Sequence, residues 1–264
     1  MECNAWIRAR VRRTASRLAS LAMLSAALLA TAAAEGRAQL TGAGFLFQPP
    51  TATLTIRTGF GAPLARSDIF DFAAEQLTFE RRKLSGISAG LDVGGFLSPR
   101  VELMLSGDIQ SRVAPTEYRE WQESNGAPIT QQTRLMRVPL TIGTKLYLNA
   151  PGEQIGKFAW IPTKVSAYVG GGVGMTWYRF RQEGDFVDLN AGNNIFTDVF
   201  ESEGWAPTAM GLAGVDVALS STASISTQLR GTFARKSLSS RFTGFAPIDL
   251  SGVSLMVGLT LRAQ

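Results

Sequence analysis

Apolar and polar residues alternate along most of this chain, in segments of about ten residues, the length of a tilted strand that crosses a bilayer. The cleanest segment sets Val101, Leu103, Leu105 and Ile109 against Glu102, Ser106, Asp108 and Gln110. A strict period of two marks a strand whose two faces meet different surroundings. The same reading places strands at Thr53–Gly61, Gly86–Leu97, Val101–Arg112, Arg134–Leu148, Lys164–Phe180, Trp205–Leu219, Ala223–Arg235 and Leu250–Gln264.

The connections alternate as well. Long ones follow the first, third, fifth and seventh strands: Ala62–Ser85, Val113–Thr133, Gln182–Gly204 and Lys236–Asp249. Tight turns with Ser and Pro chemistry, Ser98–Arg100 and Ser220–Thr222, follow the second and sixth. Asn149–Thr163, after the fourth, is longer than its counterparts and carries Phe158 and Trp160. Asn125-Gly126, near the tip of the second long connection, predicts that its two strands run on beyond the membrane to a hairpin turn. An even number of strands with short turns at one end and long loops at the other predicts an all-β fold, an eight-stranded antiparallel up-and-down transmembrane β-barrel. Closure satisfies every backbone group within hydrocarbon and leaves no free edge.

Two sets of residues that did not define the strands refine this picture. By parity, the inward face carries Arg57, Arg137, Lys145 and Arg230 against Asp92, Glu102, Asp108 and Asp216. Buried charges are tolerated only when paired, and eight strands enclose a space just wide enough for side chains. The expectation is a charge network in a filled lumen, with no channel. Aromatics on the lipid face gather at membrane interfaces, and Phe60, Trp177, Trp205 and Phe233 all point outward at the loop-side ends of their strands. The opposite girdle is thinner, because Phe96 and Tyr147 have inward parity and Phe158 and Trp160 lie in a connection.

The first 38 residues read as a cleaved signal peptide. Arg8, Arg10, Arg12, Arg13 and Arg17 precede the apolar or small run Leu18–Ala34, and Ala34 and Ala38 are the candidate cleavage positions. Residues 39–51 follow as a periplasmic tail, apolar at Phe45-Leu46-Phe47 and stopped by Pro49-Pro50, and the barrel occupies 52–264. Charge is reread accordingly. The whole chain has 26 Lys and Arg, 21 Asp and Glu and a formal net charge of +5; the leader takes six basic and two acidic residues with it, so the mature chain stands at +1. A nucleic-acid partner loses its support. The single cysteine, Cys3, lies in the leader, and there is no histidine. Disulfides, His-based triads and His-ligated metals are thereby excluded from the mature protein.

Candidate chemistry is sparse. Gly170-Gly171-Gly172-Val173-Gly174 lacks the spacing of a phosphate loop, and Gly152, Gly156 and Lys157 lack the following Ser or Thr; the glycines make room for large side chains or let the sheet coil. Glu183, Asp185, Asp188, Asp198, Glu201 and Glu203 make the third loop acidic without a calcium-loop spacing, so no metal is expected. The first and fourth loops adjoin in a closed barrel. Their Arg81, Arg82, Lys83, Arg235, Lys236 and Arg241 form a candidate contact for lipopolysaccharide phosphates.

In strand number, loop asymmetry and alternation, over about Thr51–Gln264, the chain resembles the small eight-stranded bacterial outer-membrane barrels, the OmpA-like and OmpX-like transmembrane domains. It departs from them in closing on Leu261-Arg262-Ala263-Gln264 rather than on a terminal aromatic. The resemblance implies an outer-membrane protein of the Gram-negative envelope, monomeric, without cofactor or catalytic residues. Its partners would be outer-membrane lipid and, during biogenesis, the barrel-assembly machinery, and its role structural or one of surface interaction. The alternatives are a lipid-modifying barrel enzyme, a narrow pore for small or apolar solutes, and a soluble lipocalin-like barrel with the alternation turned inside out.

Overall fold

The computed structural model describes residues 41–42, 44–122, 126–188 and 194–264; the leader, its cleavage site and Asn125 of the expected hairpin tip lie outside these. In chain order the first strands are β1 (Thr41–Gly42), β2 (Phe45–Leu46), β3 (Ala52–Pro63), β4 (Gly86–Ser98), β5 (Val101–Gln122), β6 (Pro128–Tyr147), β7 (Gly152–Ile155) and β8 (Ala159–Pro162). They are followed by β9 (Val165–Asp188), β10 (Asn194–Ala218), β11 (Ala223–Lys236), β12 (Ile248–Asp249) and β13 (Gly252–Ala263). Eight of them close a ring in the order β3-β4-β5-β6-β9-β10-β11-β13, each antiparallel to its neighbours. The last strand returns to the first, in register from Gly252↔Pro63 to Ala263↔Ala52.

The wall sorts side chains by parity. Outward residues such as Ile56 (61% exposed), Leu105 (61%) and Val173 (63%) form a continuous apolar exterior, while polar or charged residues at alternate positions of the same strands are buried. A soluble barrel would have the reverse arrangement. This exterior is matched to hydrocarbon, and the protein is an eight-stranded transmembrane β-barrel that crosses the membrane with strands. Glycines shape the β6–β9 seam: a Cβ on Gly172 or Gly174 would run into the carbonyls of Ile142 or Leu140. At the β5–β6 seam the ladder skips Asp108 and Ile109 opposite Val138 and Pro139, where Pro139 has no N–H to give.

The outer rim is lopsided. β5, β6, β9 and β10 run for 22, 20, 24 and 25 residues, against 12 to 14 for β3, β4, β11 and β13. The tall strands continue above Trp177 to Asp188 as a four-stranded blade, roughly 35 Å along the strand at about 3.3 Å per residue. The second and third long connections are therefore mostly strand.

The first long connection also holds structure that its sequence conceals. Helix α1 (Asp68–Gln76) has Asp68 and Asp71 in its first turn, where acids complement the helix dipole, and buries Ile69, Phe70 and Ala73 on one side. Nine residues make a marginal helix alone; this one is held by packing. Phe70 stacks on Phe79 (centroids 6.2 Å apart) and meets Phe180 of the blade edge-on (5.6 Å), while Phe180 touches Phe242 of the fourth loop (5.6 Å). With Leu77, Leu84, Leu135, Tyr178, Ile248 and Leu250 they form a buried apolar cap over the external mouth.

At the periplasmic end, β1, β2, β8 and β7 build a small second sheet from the N-terminal tail and the fourth connection. Leu46 pairs with Trp160, and both are buried.

Candidate functional site

The lumen is bridged from wall to wall. Arg57 on β3 pairs with Asp92 on β4 and with Asp108 on β5, its Nη2 donating to Oδ1 at 2.6 Å. Arg230 on β11 reaches Asp108 Oδ2 at 2.7 Å and Asp92 Oδ1 at 3.4 Å. The Ser106 hydroxyl accepts from both guanidinium groups. Because β11 and β5 are opposite in the ring, Arg230 crosses the whole lumen. Space for this quartet comes from glycine: a Cβ on Gly90 would strike the Asp108 carboxylate and the Arg57 guanidinium.

A second group lies nearer the periplasm. Glu102 accepts from Thr53 Oγ1 (2.5 Å), Lys145 Nζ (3.4 Å) and Tyr147 OH (2.8 Å), and the Tyr147 hydroxyl also stands 3.1 Å from Asp216 Oδ2. Tyr168 OH and Ser226 Oγ are 2.8 Å apart, spanning β9 to β11. Arg262, inward by parity but absent from the expected charge set, is buried here with its guanidinium 5.8 Å from the ring of Trp160. Toward the outside, Arg137 has no carboxylate partner among the described residues. Its Nη1 donates to Leu250 O (2.7 Å) and Ser251 O (3.1 Å), and its Nη2 to Gln110 Oε1, tying β6 to the segment entering β13. A cavity of about 30 Å³ remains between Arg137, Asp108 and Arg230, room for a water or two.

The eight inward charges expected from parity thus occupy the lumen, distributed over these three levels. On the outside, Phe60 (56% exposed), Trp205 (47%) and Phe233 (63%) stand at the external ends of their strands, and Trp177 pairs across with Trp205.

The first and fourth loops do adjoin. Ala246 N–H donates to Asp68 Oδ2 (2.8 Å) and Asp249 N–H to Ser67 Oγ (3.1 Å). Burial opposes ionisation of Asp249, but hydrogen bonds from Ser251 and the Arg66 N–H, with Arg235 nearby, outweigh it and hold its carboxyl below the usual range. Four of the six basic side chains, however, are occupied separately. Arg81 pairs with Asp71, and Arg82 pairs with Glu80, holding that carboxyl below its usual range. Lys83 Nζ donates to Thr78 O at 3.0 Å and Arg241 Nη1 to Val199 O at 2.9 Å. Arg235 and Lys236 lie opposite Asp249 and Ile248 across the β11–β12 pair. Of the acidic third loop, Glu183, Glu201 and Glu203 face Arg179 and Arg181, Asp185 accepts from Thr197 Oγ1, and Asp198 accepts from the Val199 N–H. Among the described residues no three potential metal ligands gather.

No family model and no curated protein matches the sequence. Among solved structures the chain is similar to the N-terminal β-barrel domain of Pseudomonas aeruginosa OprF, at 13% identity over 81% of this chain and 99% of that one, TM-score 0.36. It is similar also to Neisserial surface protein A (12%, 84% and 99%, TM-score 0.41) and to Ail, the attachment invasion locus protein of Yersinia pestis (13%, 80% and 99%, TM-score 0.39).

Proposed function

We propose that this protein is a non-conducting, non-enzymatic barrel that contributes to the fabric of the outer membrane and presents its blade at the cell surface. The observation that carries this reading is Arg230 lying across the lumen, bonded to Asp108 on the opposite wall. The apolar cap above it and the small sheet below it support the same reading. Ions crossing such an interior would have to break charge pairs in a poorly solvated space, a costly event. The buried carboxylates are engaged by guanidinium, ammonium or hydroxyl groups, an arrangement suited to holding walls together.

The test is conductance in a planar bilayer of concentrated potassium chloride. Wild-type protein is expected to give no stepwise current, and Arg57→Ala combined with Arg230→Ala to give flickering openings. Regular steps from the wild type would overturn the reading. Release of fatty acid from phospholipid or lipid A by the purified barrel would overturn its non-enzymatic part.

A further inference from the structure

Just above the outer aromatic girdle, on the lipid-facing side of the blade, β6 and β9 set two arginines directly opposite each other, Arg134 and Arg181. Like charges in register across a strand pair destabilise a sheet. Arg134 is exposed and, among the described residues, has no hydrogen-bond or ion-pair partner. Arg181 places Nη2 on Glu183 Oε2 at 2.5 Å, while its Nε is buried without a hydrogen bond, 4.0 Å from Glu201 Oε2.

The surroundings give this pair a height and a direction. Two positions lower on the same face are Met136 and Arg179, and then Val138 and Trp177, so the arginines begin where the apolar belt ends. Arg179 lies over the Trp177 ring at 5.3 Å and is occupied by Glu203 at 2.7 Å. The carboxylates Glu201 and Glu203 are on β10, on the far side of β9 from Arg134. Across β6 on the other side, Arg134 faces Val113, which is 38% exposed. The face therefore runs from acidic at β10, through paired arginines at β9, to a free cation at β6 bordered by an apolar residue.

We propose that Arg134, with the Arg181 guanidinium opposite it, holds a phosphate of lipid A, the phosphorylated glycolipid of the outer leaflet, whose acyl chains lie along Val113, Met136 and Val138. The charge is complementary, the site continues directly from the lipid-facing wall, and a guanidinium pair offers a phosphate matched donors. Arg81 and Arg82 of the first loop are less suited, being neutralised by Asp71 and Glu80. Snorkelling of a lone Arg toward water accounts for Arg134 by itself but not for its placement opposite Arg181.

The experiment uses the refolded full barrel in detergent, with bis-phosphorylated lipid A as probe and dephosphorylated lipid A and inorganic phosphate as comparisons. Binding is read by native mass spectrometry and by tryptophan fluorescence. Arg134→Gln combined with Arg181→Gln should weaken lipid A binding at least tenfold, dephosphorylated lipid A should bind the wild type no better than lipid A binds the variant, and Arg82→Gln should leave binding unchanged. The heat-dependent gel shift checks that each variant is folded, and Arg134→Gln alone replaces a double variant that is not. Equal binding by wild type and variant overturns the proposal, as does an equal loss in Arg82→Gln. Displacement of lipid A by equimolar inorganic phosphate would assign the pair to the free anion and overturn it too. Bilayer conductance is untouched by any of these outcomes.

Discussion

Replacing Arg230 with methionine keeps much of the side chain's volume and removes the one guanidinium that crosses the lumen. Asp92 and Asp108, which are 1% and 9% exposed, would then share Arg57 alone. Breaking a buried pair by deleting one partner costs about 3–5 kcal/mol, because the other charge stays buried without compensation. Here two carboxylates lose contacts of 2.7 and 3.4 Å together, which puts the expected loss toward the upper end of that range. Removing the whole quartet, with Arg57→Met, Asp92→Leu and Asp108→Leu added, abolishes the uncompensated charge. Such replacements are often neutral or stabilising, so the fourfold variant should be more stable than the single one. Urea unfolding in lipid vesicles, followed by tryptophan fluorescence, measures both. A single variant within about 1 kcal/mol of wild type would refute the claim that the quartet is a tightly coupled buried unit, as would a fourfold variant less stable than the single.

Three further outcomes are expected. Leu105→Arg, on the lipid face at a position 61% exposed, should cost about 2–4 kcal/mol of folding into vesicles, whereas an inside-out soluble barrel would pay nothing. Phe70→Ala should cost the external cap about 3–5 kcal/mol, exposing α1 to limited proteolysis while the gel shift of the barrel is retained; cleavage unchanged from wild type would show that the cap does not depend on this core. Because the Asp249 carboxyl is held below its ordinary range, its contribution is present at neutral pH and is lost as pH falls beneath the usual aspartate range and through the lowered value. Hydrogen exchange at Asp249 and Ser251, corrected for intrinsic rates, should therefore accelerate in acid; in Asp249→Asn it should be fast already at neutral pH and indifferent to acidification.

What the sequence made legible depended on where each strand lay. Inside hydrocarbon the outward face must be apolar, so Val101–Ile109 announced itself by contrast. In the blade both faces meet water or the polar flank of the cap, and Thr130, Gln131, Gln132 and Thr133 continue the alternation in burial without any contrast in polarity. The strand ends were lost for that reason. Helix α1 was hidden because its stability comes from Phe79, Phe180 and Phe242, residues distant in the chain. Parity located the inward charges, since only one face of each strand tolerates them, but pairing across the lumen depends on how the ring closes, which a linear pattern does not encode. Arg262 had the right parity; its inclusion required knowing that Trp160 folds beneath the barrel. The basic loop residues illustrate the opposite limit: their clustering is visible in the sequence, while the acids that occupy Arg81 and Arg82 are brought up by helix α1, which carries Asp71, and by the turn that begins at Glu80.

The distribution of buried lumen charge along the chain bears on how the barrel is put together. The first three barrel strands contribute one cation, Arg57, against Asp92, Glu102 and Asp108, and the remaining five contribute Arg137, Lys145, Arg230 and Arg262 against Asp216 alone. Each half is thus a sheet of one predominant sign, and Arg230 is separated from its partners by 122 and 138 residues of sequence. An unfinished sheet neutralises itself only in part, through Arg57 and, once β6 is in place, Lys145, so the attraction between the acidic early wall and the basic late wall grows as they curl toward each other. Closure is drawn from within as well as stitched at the seam, and a chain truncated before β11 would leave Asp92 and Asp108 to share Arg57 alone.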